Sequence, residues 1–120
     1  MSTLLVHLTF GPEAPTRVAL AFLVARAAMD EGHEVSLFLA GDAVQLYRPA
    51  TTDALHGVGT GSLRQHLDAL VAGGATFYAS KMSSDARALT TEDMGDVPVQ
   101  MATPAMLVQL VLDHDRVITY

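Results

Sequence analysis

Two hydroxyl groups and a lysine lie close together in one predicted loop, at Ser80, Lys81 and Ser83. The loop follows a short apolar run, residues 75–79, and precedes a helix predicted over residues 85–89. Backbone N–H groups at the start of a helix are unpaired and favour an anion or a developing negative charge. No histidine or carboxylate is spaced to activate either serine as a nucleophile, and no glycine-flanked elbow surrounds them. The loop therefore indicates a site without indicating a reaction.

Three further loops are expected at the same edge of the predicted sheet. Strands that alternate regularly with helices indicate βαβ units, in which the strands are parallel and helices flank the sheet. Ligands of such sheets bind beyond the carboxyl ends of the strands, near a switch in strand order. Thr9, Gly11 and Asp42 follow the first two predicted strands, and residues 102–103 follow the fourth. We expect these residues to form one ligand site with Ser80, Lys81 and Ser83.

Each candidate residue also has a purely structural interpretation. Ser80 and Ser83 could cap the following helix, and Lys81 could be an ordinary solvated charge. Asp42 follows a glycine, a pair that is common in plain turns. An enzyme that uses Lys81, Asp42 or His66 as acid or base is the alternative function, and a lysine pKa near neutrality would distinguish it.

The elements that position this site form one predicted domain, residues 1–120. A turn of helix at residues 43–47 and a mobile loop up to residue 60 interrupt the alternation. Ser62 and Gln65 form a predicted capping box at the start of the third helix. The predicted fold is a three-layer α/β/α sandwich with a mainly parallel sheet of about five strands. The strands are predicted at residues 4–9, 34–40, 75–79, 97–102 and 116–119, and the helices at residues 16–30, 63–72, 85–89 and 104–113.

Composition limits the possible partners. Half of the residues are apolar, and one small core cannot bury so much apolar surface. This composition favours subunit association. The net charge of −6, with scattered basic residues and no aromatic platform, argues against nucleic-acid binding. There is no cysteine, and no two histidines have the helical spacing of a metal site, so no metal or other cofactor is expected. No apolar run could span a membrane and no signal peptide is recognised, which predicts a cytoplasmic protein without membrane contact.

Residues 78–89 carry a longer pattern, Tyr-Ala-Ser-Lys-Met-Ser-Ser-Asp-Ala-Arg-Ala-Leu. This pattern resembles a segment of the DsrE/DsrF-like proteins, the sulfur-relay fold that includes the TusD and YchN groups. In that family a tyrosine-containing strand enters a loop with one or two cysteines and then an Ala-Arg-Gly helix. By this resemblance, Ser80 and Ser83 stand at the cysteine positions and Ala88 stands where glycine is usual.

Three other stretches are similar to the same family. Residues 37–44 resemble its strand with a Gly-Asp-x-Val turn, residues 61–67 resemble its Gly-x-Leu-x-x-His-Leu helix, and residues 115–120 resemble its last strand. The resemblance covers nearly the whole chain and implies a DsrE-like, Rossmann-like fold with its site at residues 80–83. It also implies assembly into trimers or hexamers.

The missing cysteines separate this chain from the members of the family that move sulfur. Those members use a cysteine persulfide, and a serine hydroxyl cannot carry one. We therefore expect a non-catalytic homo-oligomeric module that binds a small ligand or a partner protein at residues 80–83. A link to sulfur metabolism would then be a scaffolding role for a cysteine-bearing partner. A structural subunit within a hetero-oligomer of cysteine-bearing homologues is a third interpretation.

Overall fold

A computed structural model describes all of residues 1–120. The strands are β1 (Thr3–Leu8), β2 (Glu34–Leu39), β3 (His56–Gly57), β4 (Gly61–Ser62), β5 (Thr76–Ser80), β6 (Val99–Ala102) and β7 (Arg116–Thr119). The α-helices are α1 (Pro15–Asp30), α2 (Pro49–Ala54), α3 (Leu63–Ala72), α4 (Lys81–Ala86) and α5 (Pro104–Asp113). Two 3-10 helices cover Gly41–Tyr47 and Thr91–Met94.

Five strands form one parallel sheet in the order β6-β5-β2-β1-β7. The chain steps outward from β1 to β6, and α5 then returns it to β7 on the other side of β1. Strand order therefore switches between β1 and β7. All strands run the same way, so the loops that follow them meet at one edge, as predicted.

Helices cover both faces of this sheet and produce the predicted three-layer α/β/α sandwich. Helices α1 and α3 pack together on one face, over a core cluster of 23 buried residues. The cluster on the other face is small: Leu5, Phe38 and Ala102 lie beneath Leu107 and Leu110 of α5. The two faces are therefore unequally covered, because a single helix lies over the second one.

Helix α5 buries none of its ten residues, although most of them are apolar. Val108 is 58% exposed and Leu112 is 73% exposed. Val117 pairs in register with Leu5 and so faces the same side of the sheet. We call the following set the α5 surface: Met106, Val108, Val111, Leu112 and Val117. None of the five helices is long and apolar enough to cross a membrane.

The prediction of a mobile loop before residue 60 is wrong, because this segment forms α2 and the β3–β4 hairpin. Pro49 lies in the first turn of α2, where its missing N–H costs nothing. The buried hydroxyl of Thr52 donates to the carbonyl of Leu46 at 2.6 Å and fixes this helix on the preceding 3-10 helix.

The helix predicted over residues 85–89 begins earlier, at Lys81, so Lys81 and Ser83 belong to α4 and not to a loop. Ser80 sets this start, because its hydroxyl oxygen accepts the N–H of Ser83. At α3, Ser62 accepts the N–H of Gln65, but only the serine half of the predicted capping box forms. Strand β6 begins after Pro98, which has no N–H to donate.

Candidate functional site

The strand-to-helix junction at Ser80 is the centre of the predicted site. Strand β5 ends at Ser80, and α4 begins at the next residue. The Ser80 Oγ accepts the backbone N–H of Ser83 at 3.2 Å. This bond is an N-cap, one of the two roles that the sequence allowed for Ser80. The hydroxyl hydrogen of Ser80 is not needed for it.

Ser83 connects α4 to the end of β2. Its Oγ accepts the backbone N–H of Gly41 at 2.8 Å. Gly41 has a φ of 59°, a conformation that glycine adopts without a steric cost. The turn after β2 is thus held against the first turn of α4 by a side chain from the candidate site.

Arg87 joins Asp42 to the same group. Its Nη2 donates to Asp42 Oδ1 at 2.8 Å and its Nη1 donates to the carbonyl of Ser83 at 3.0 Å. One turn into the predicted helix, Arg87 is expected to be a surface or interface salt-bridge partner, and its pairing with Asp42 confirms that expectation. The pairing neutralises Asp42, which is exposed and would otherwise repel an anion here.

Gly11 brings the loop after β1 to the same turn. A Cβ on Gly11 would collide with the carbonyl oxygen of Asp42, so a larger residue would push the two loops apart. Thr9 lies farther along the edge, at the switch in strand order, where its N–H and Oγ both donate to the carbonyl of Tyr120 at 3.2 and 3.3 Å. The structure therefore brings Gly11, Asp42, Ser80 and Ser83 together by contacts, while Thr9 contacts the chain's last residue.

Lys81 points away from this group. Its Nζ donates to Asp85 Oδ2 at 2.8 Å along α4, and both side chains are about 60% exposed. Met82, between the two candidate serines, is 70% exposed. The three cavities of the molecule are all lined by other residues. The arrangement at residues 80–83 is therefore an open surface and not an enclosed pocket.

His66 lies apart from Lys81 and Asp42. It is 5% exposed, with Nε2 at 2.6 Å from the carbonyl of Thr60 and Nδ1 at 3.5 Å from an Arg26 nitrogen. A carbonyl only accepts, so Nε2 carries the proton and His66 fixes the hairpin on α3. None of its bonds reaches the other two residues of the acid–base alternative.

Its place inside the first predicted strand predicts that His7 is a core histidine with ring nitrogens bonded to neighbouring groups, and this prediction is wrong for Nε2. Its Nε2 is buried without a hydrogen-bond partner, and its ring lies edge-on to Phe38 on the face covered by α5. Burial without a partner disfavours the charged imidazolium and lowers the pKa of His7. The sequence could not show this, because the partners of a side chain within a strand depend on which groups pack against that face of the sheet.

Comparisons with known proteins agree with the fold. The model of the DsrE/DsrF-like family matches residues 3–120. No curated protein matches the chain in sequence. Among solved structures, the fold is similar to the YchN protein from E. coli, with a TM-score of 0.83, 23% identity and full coverage of both chains.

Two proteins of unknown function have similar folds. The one from Methanobacterium thermoautotrophicum has a TM-score of 0.75 at 15% identity and covers both chains fully. The one from Bacteroides thetaiotaomicron has a TM-score of 0.72 at 13% identity, covering 99% of this chain and 95% of its own. At these identities the similarity concerns the fold alone. The family match extends over almost every residue, from β1 to the C-terminus, and the chain therefore belongs to the DsrE/DsrF-like family.

Proposed function

We propose that the chain is a non-catalytic, self-associating module that contacts a partner protein through residues 80–83. One observation carries this proposal: the polar side chains at the junction are bonded to other groups of the chain. Ser80 and Ser83 each accept a backbone N–H, and Lys81 is paired with Asp85. Asp42 is paired as well, with the guanidinium of Arg87, the residue that follows α4.

Such an arrangement lacks what nucleophilic catalysis needs. A serine is activated by a base within hydrogen-bond reach, and the bonds of Ser80 and Ser83 are to backbone N–H groups, which cannot take a proton from them. The chain also contains no cysteine, so it cannot form the persulfide by which the family's relay members carry sulfur. Within sulfur metabolism we therefore assign the covalent step to a cysteine-bearing partner.

An exposed apolar side chain at this junction supports the proposal that the partner is a protein. Met82 is 70% exposed and lies between the two serines, whose hydroxyl hydrogens are free to donate. Methionine adapts its shape and is enriched at protein interfaces, where an apolar centre is surrounded by polar groups. An open surface also fits a protein better than a small ligand, which is normally enclosed.

The α5 surface supports self-association. A helix that is apolar all round is normally buried on more than one side, and α5 is covered on one side only. Scattered exposed apolar residues are ordinary, but here four lie on one helix of ten residues. A second copy of the chain would bury them at the same time as it closed the thinly covered face of the sheet.

Native mass spectrometry and light scattering test the assembly. We expect the wild-type chain to form a trimer or hexamer, and the double variant Val108→Glu, Leu112→Glu to be monomeric. Val58→Glu is the matched control, because Val58 is 87% exposed at the hairpin and distant in the fold from α5. A wild-type monomer, or a double variant that assembles as the control does, would contradict the assembly.

A unique cysteine tests the partner contact. Because the chain has none, Met82→Cys can be labelled at one place with a photo-crosslinker, and Val58→Cys is the control. We expect position 82, and not position 58, to crosslink to one protein that contains a reactive cysteine. A small molecule retained in native mass spectra, with no crosslink specific to position 82, would identify a ligand site and refute the protein contact.

A further inference from the structure

His7 is a titratable residue at the border of the α5 surface. In the parallel sheet it pairs with Phe38 of β2 and with Thr119 of β7. Side chains two residues apart on a strand face the same side, so His7 shares a face with Leu5 and is a diagonal neighbour of Val117. Val117 belongs to the α5 surface, and Phe38 packs beneath α5. His7 therefore lies next to the surface through which we propose that the chain self-associates.

No group of the chain balances a positive charge on His7. Its Nε2 is buried without a hydrogen-bond partner, and the centroid of its ring lies 5.7 Å from that of Phe38, edge-on. None of the ion pairs in the chain includes His7. The other titratable groups on this face of the sheet and along α5 are Glu34, Tyr78, Asp113, His114 and Asp115. Two of these have partners elsewhere: Asp115 accepts from Thr3 at the opposite end of β1, and His114 contacts Ser36.

An imidazolium at His7 consequently depends on water. The residue is only partly buried, so water still reaches it in the single chain. Burial already disfavours the charged ring and lowers the pKa of His7 below its ordinary value of 6.5. A second copy laid over this face would remove the remaining water. A cation without water or a partner is costly to bury, so the covered ring would have to be neutral.

We propose that His7 makes self-association depend on pH: the assembled chain holds His7 neutral, and protonation of His7 separates the subunits. This inference rests on the self-association proposed above. Because the free chain binds the proton more tightly, association is strongest above the pKa of His7 in the free chain and weakens as the pH falls through it, below 6.5. A difference of one pKa unit between the two states corresponds to about tenfold in the association constant for each subunit.

Net charge acts in the opposite direction and so separates this effect from general electrostatics. The chain has a formal net charge of −6 at pH 7 and an isoelectric point near 5.1. Acidification from about pH 7.5 to about pH 5.5 brings the net charge towards zero, which by itself reduces repulsion and favours association. Dissociation over this range therefore requires a specific group whose charge the interface rejects.

Sedimentation velocity at one fixed protein concentration tests the switch at about pH 7.5 and about pH 5.5, on either side of the ordinary histidine pKa. We expect the wild-type chain to be assembled at the higher pH and its dissociation constant to rise about tenfold or more at the lower pH. His7→Phe keeps a ring against Phe38 but cannot be charged, and His7→Gln is a second neutral variant with a smaller side chain. Both should associate at least as strongly at the lower pH. His56→Gln is the control, because it removes an exposed histidine of the β3–β4 hairpin and should keep the wild-type response.

The outcomes separate this switch from the self-association on which it rests. A wild-type chain that assembles equally at both pH values would overturn the switch and leave self-association standing. Dissociation of both neutral variants on acidification, as in the wild type, would do the same. A wild-type chain that is monomeric at both pH values would refute self-association and the switch together. Circular dichroism should be unchanged between the two pH values, and its loss at the lower pH would overturn the switch by showing unfolding in place of dissociation.

Discussion

Three helices of this protein end in the same hydrogen-bonded motif, and one of them has alanine where the others have glycine. At the end of α4, the N–H of Ala88 donates to the carbonyl of Asp85 at 3.1 Å and the N–H of Leu89 donates to that of Ser84 at 2.9 Å. This pair of bonds is a Schellman motif. The ends of α1 and α3 repeat it, with Gly32 and Gly74 at the position of Ala88.

The motif requires a left-handed backbone conformation at that position, and this conformation is sterically strained for alanine. Ala88 has a φ of 53°, against 90° for Gly32 and 83° for Gly74. A side chain in this region costs about 1–2 kcal/mol. Replacing it by glycine also increases the freedom of the unfolded chain, which costs about 0.4–1 kcal/mol. Ala88→Gly should therefore stabilise the protein by about 0.5–1 kcal/mol.

Thermal and urea unfolding at one fixed protein concentration measure this gain. For a chain of this size, about 0.5–1 kcal/mol corresponds to a rise in Tm of about 2–4 °C. Ala88 is exposed, so the substitution removes no buried contact. Gly74→Ala is the matched control: its new Cβ would meet nothing within 4 Å, so only the backbone conformation should destabilise it, by a similar amount. Loss of stability in Ala88→Gly, with Gly74→Ala destabilised as expected, would refute the reasoning.

Three further predictions concern single side chains. Asp93 and Asp115 each accept a threonine backbone N–H, and these hydrogen bonds lower the pKa of both carboxylates. Their stabilising effect is therefore present above about pH 4 and is lost as the pH falls through the lowered pKa values. Asp115→Asn should for this reason flatten the acid side of a profile of Tm against pH. Ser84 is fully buried with an unpaired hydroxyl, and Ser84→Ala should stabilise the fold by about 1 kcal/mol in urea unfolding. The exposed pair of Arg87 and Asp42 should show a coupling below about 1 kcal/mol in a double-mutant cycle, and a larger value would mean that the pair is shielded from solvent.

The long elements of the fold follow from local signals in the sequence. The uninterrupted apolar run near residue 5 predicts a strand covered on both faces, and β1 is the centre of two ladders. Thr103 and Pro104 predict the start of α5, where Thr103 accepts the N–H of Met106. These signals act within one turn or one strand, so they do not depend on the rest of the chain.

The short elements could not be predicted, because contacts with residues outside each element stabilise them. Helix α2 has six residues and is fixed by the hydroxyl of Thr52 on the carbonyl of Leu46. The hairpin is fixed by His66 of α3, whose ring Nε2 lies 2.6 Å from the carbonyl of Thr60. Neither element has enough hydrophobic pattern to be recognised alone, since short helices and two-residue strands are marginal without tertiary contacts.

The candidate site illustrates the same limit on a smaller scale. Sequence spacing placed Ser80, Ser83 and Asp42 at one edge of the sheet, because the carboxyl ends of parallel strands must meet there. It could not show that Ser83 would accept the N–H of Gly41, or that Arg87 would turn back to Asp42. A thiol is a weaker acceptor than a hydroxyl, so a cysteine at position 83 would hold the turn after β2 less firmly. Ser83 is thus part of the structure that joins β2 to α4, and Ser83→Cys would weaken this connection.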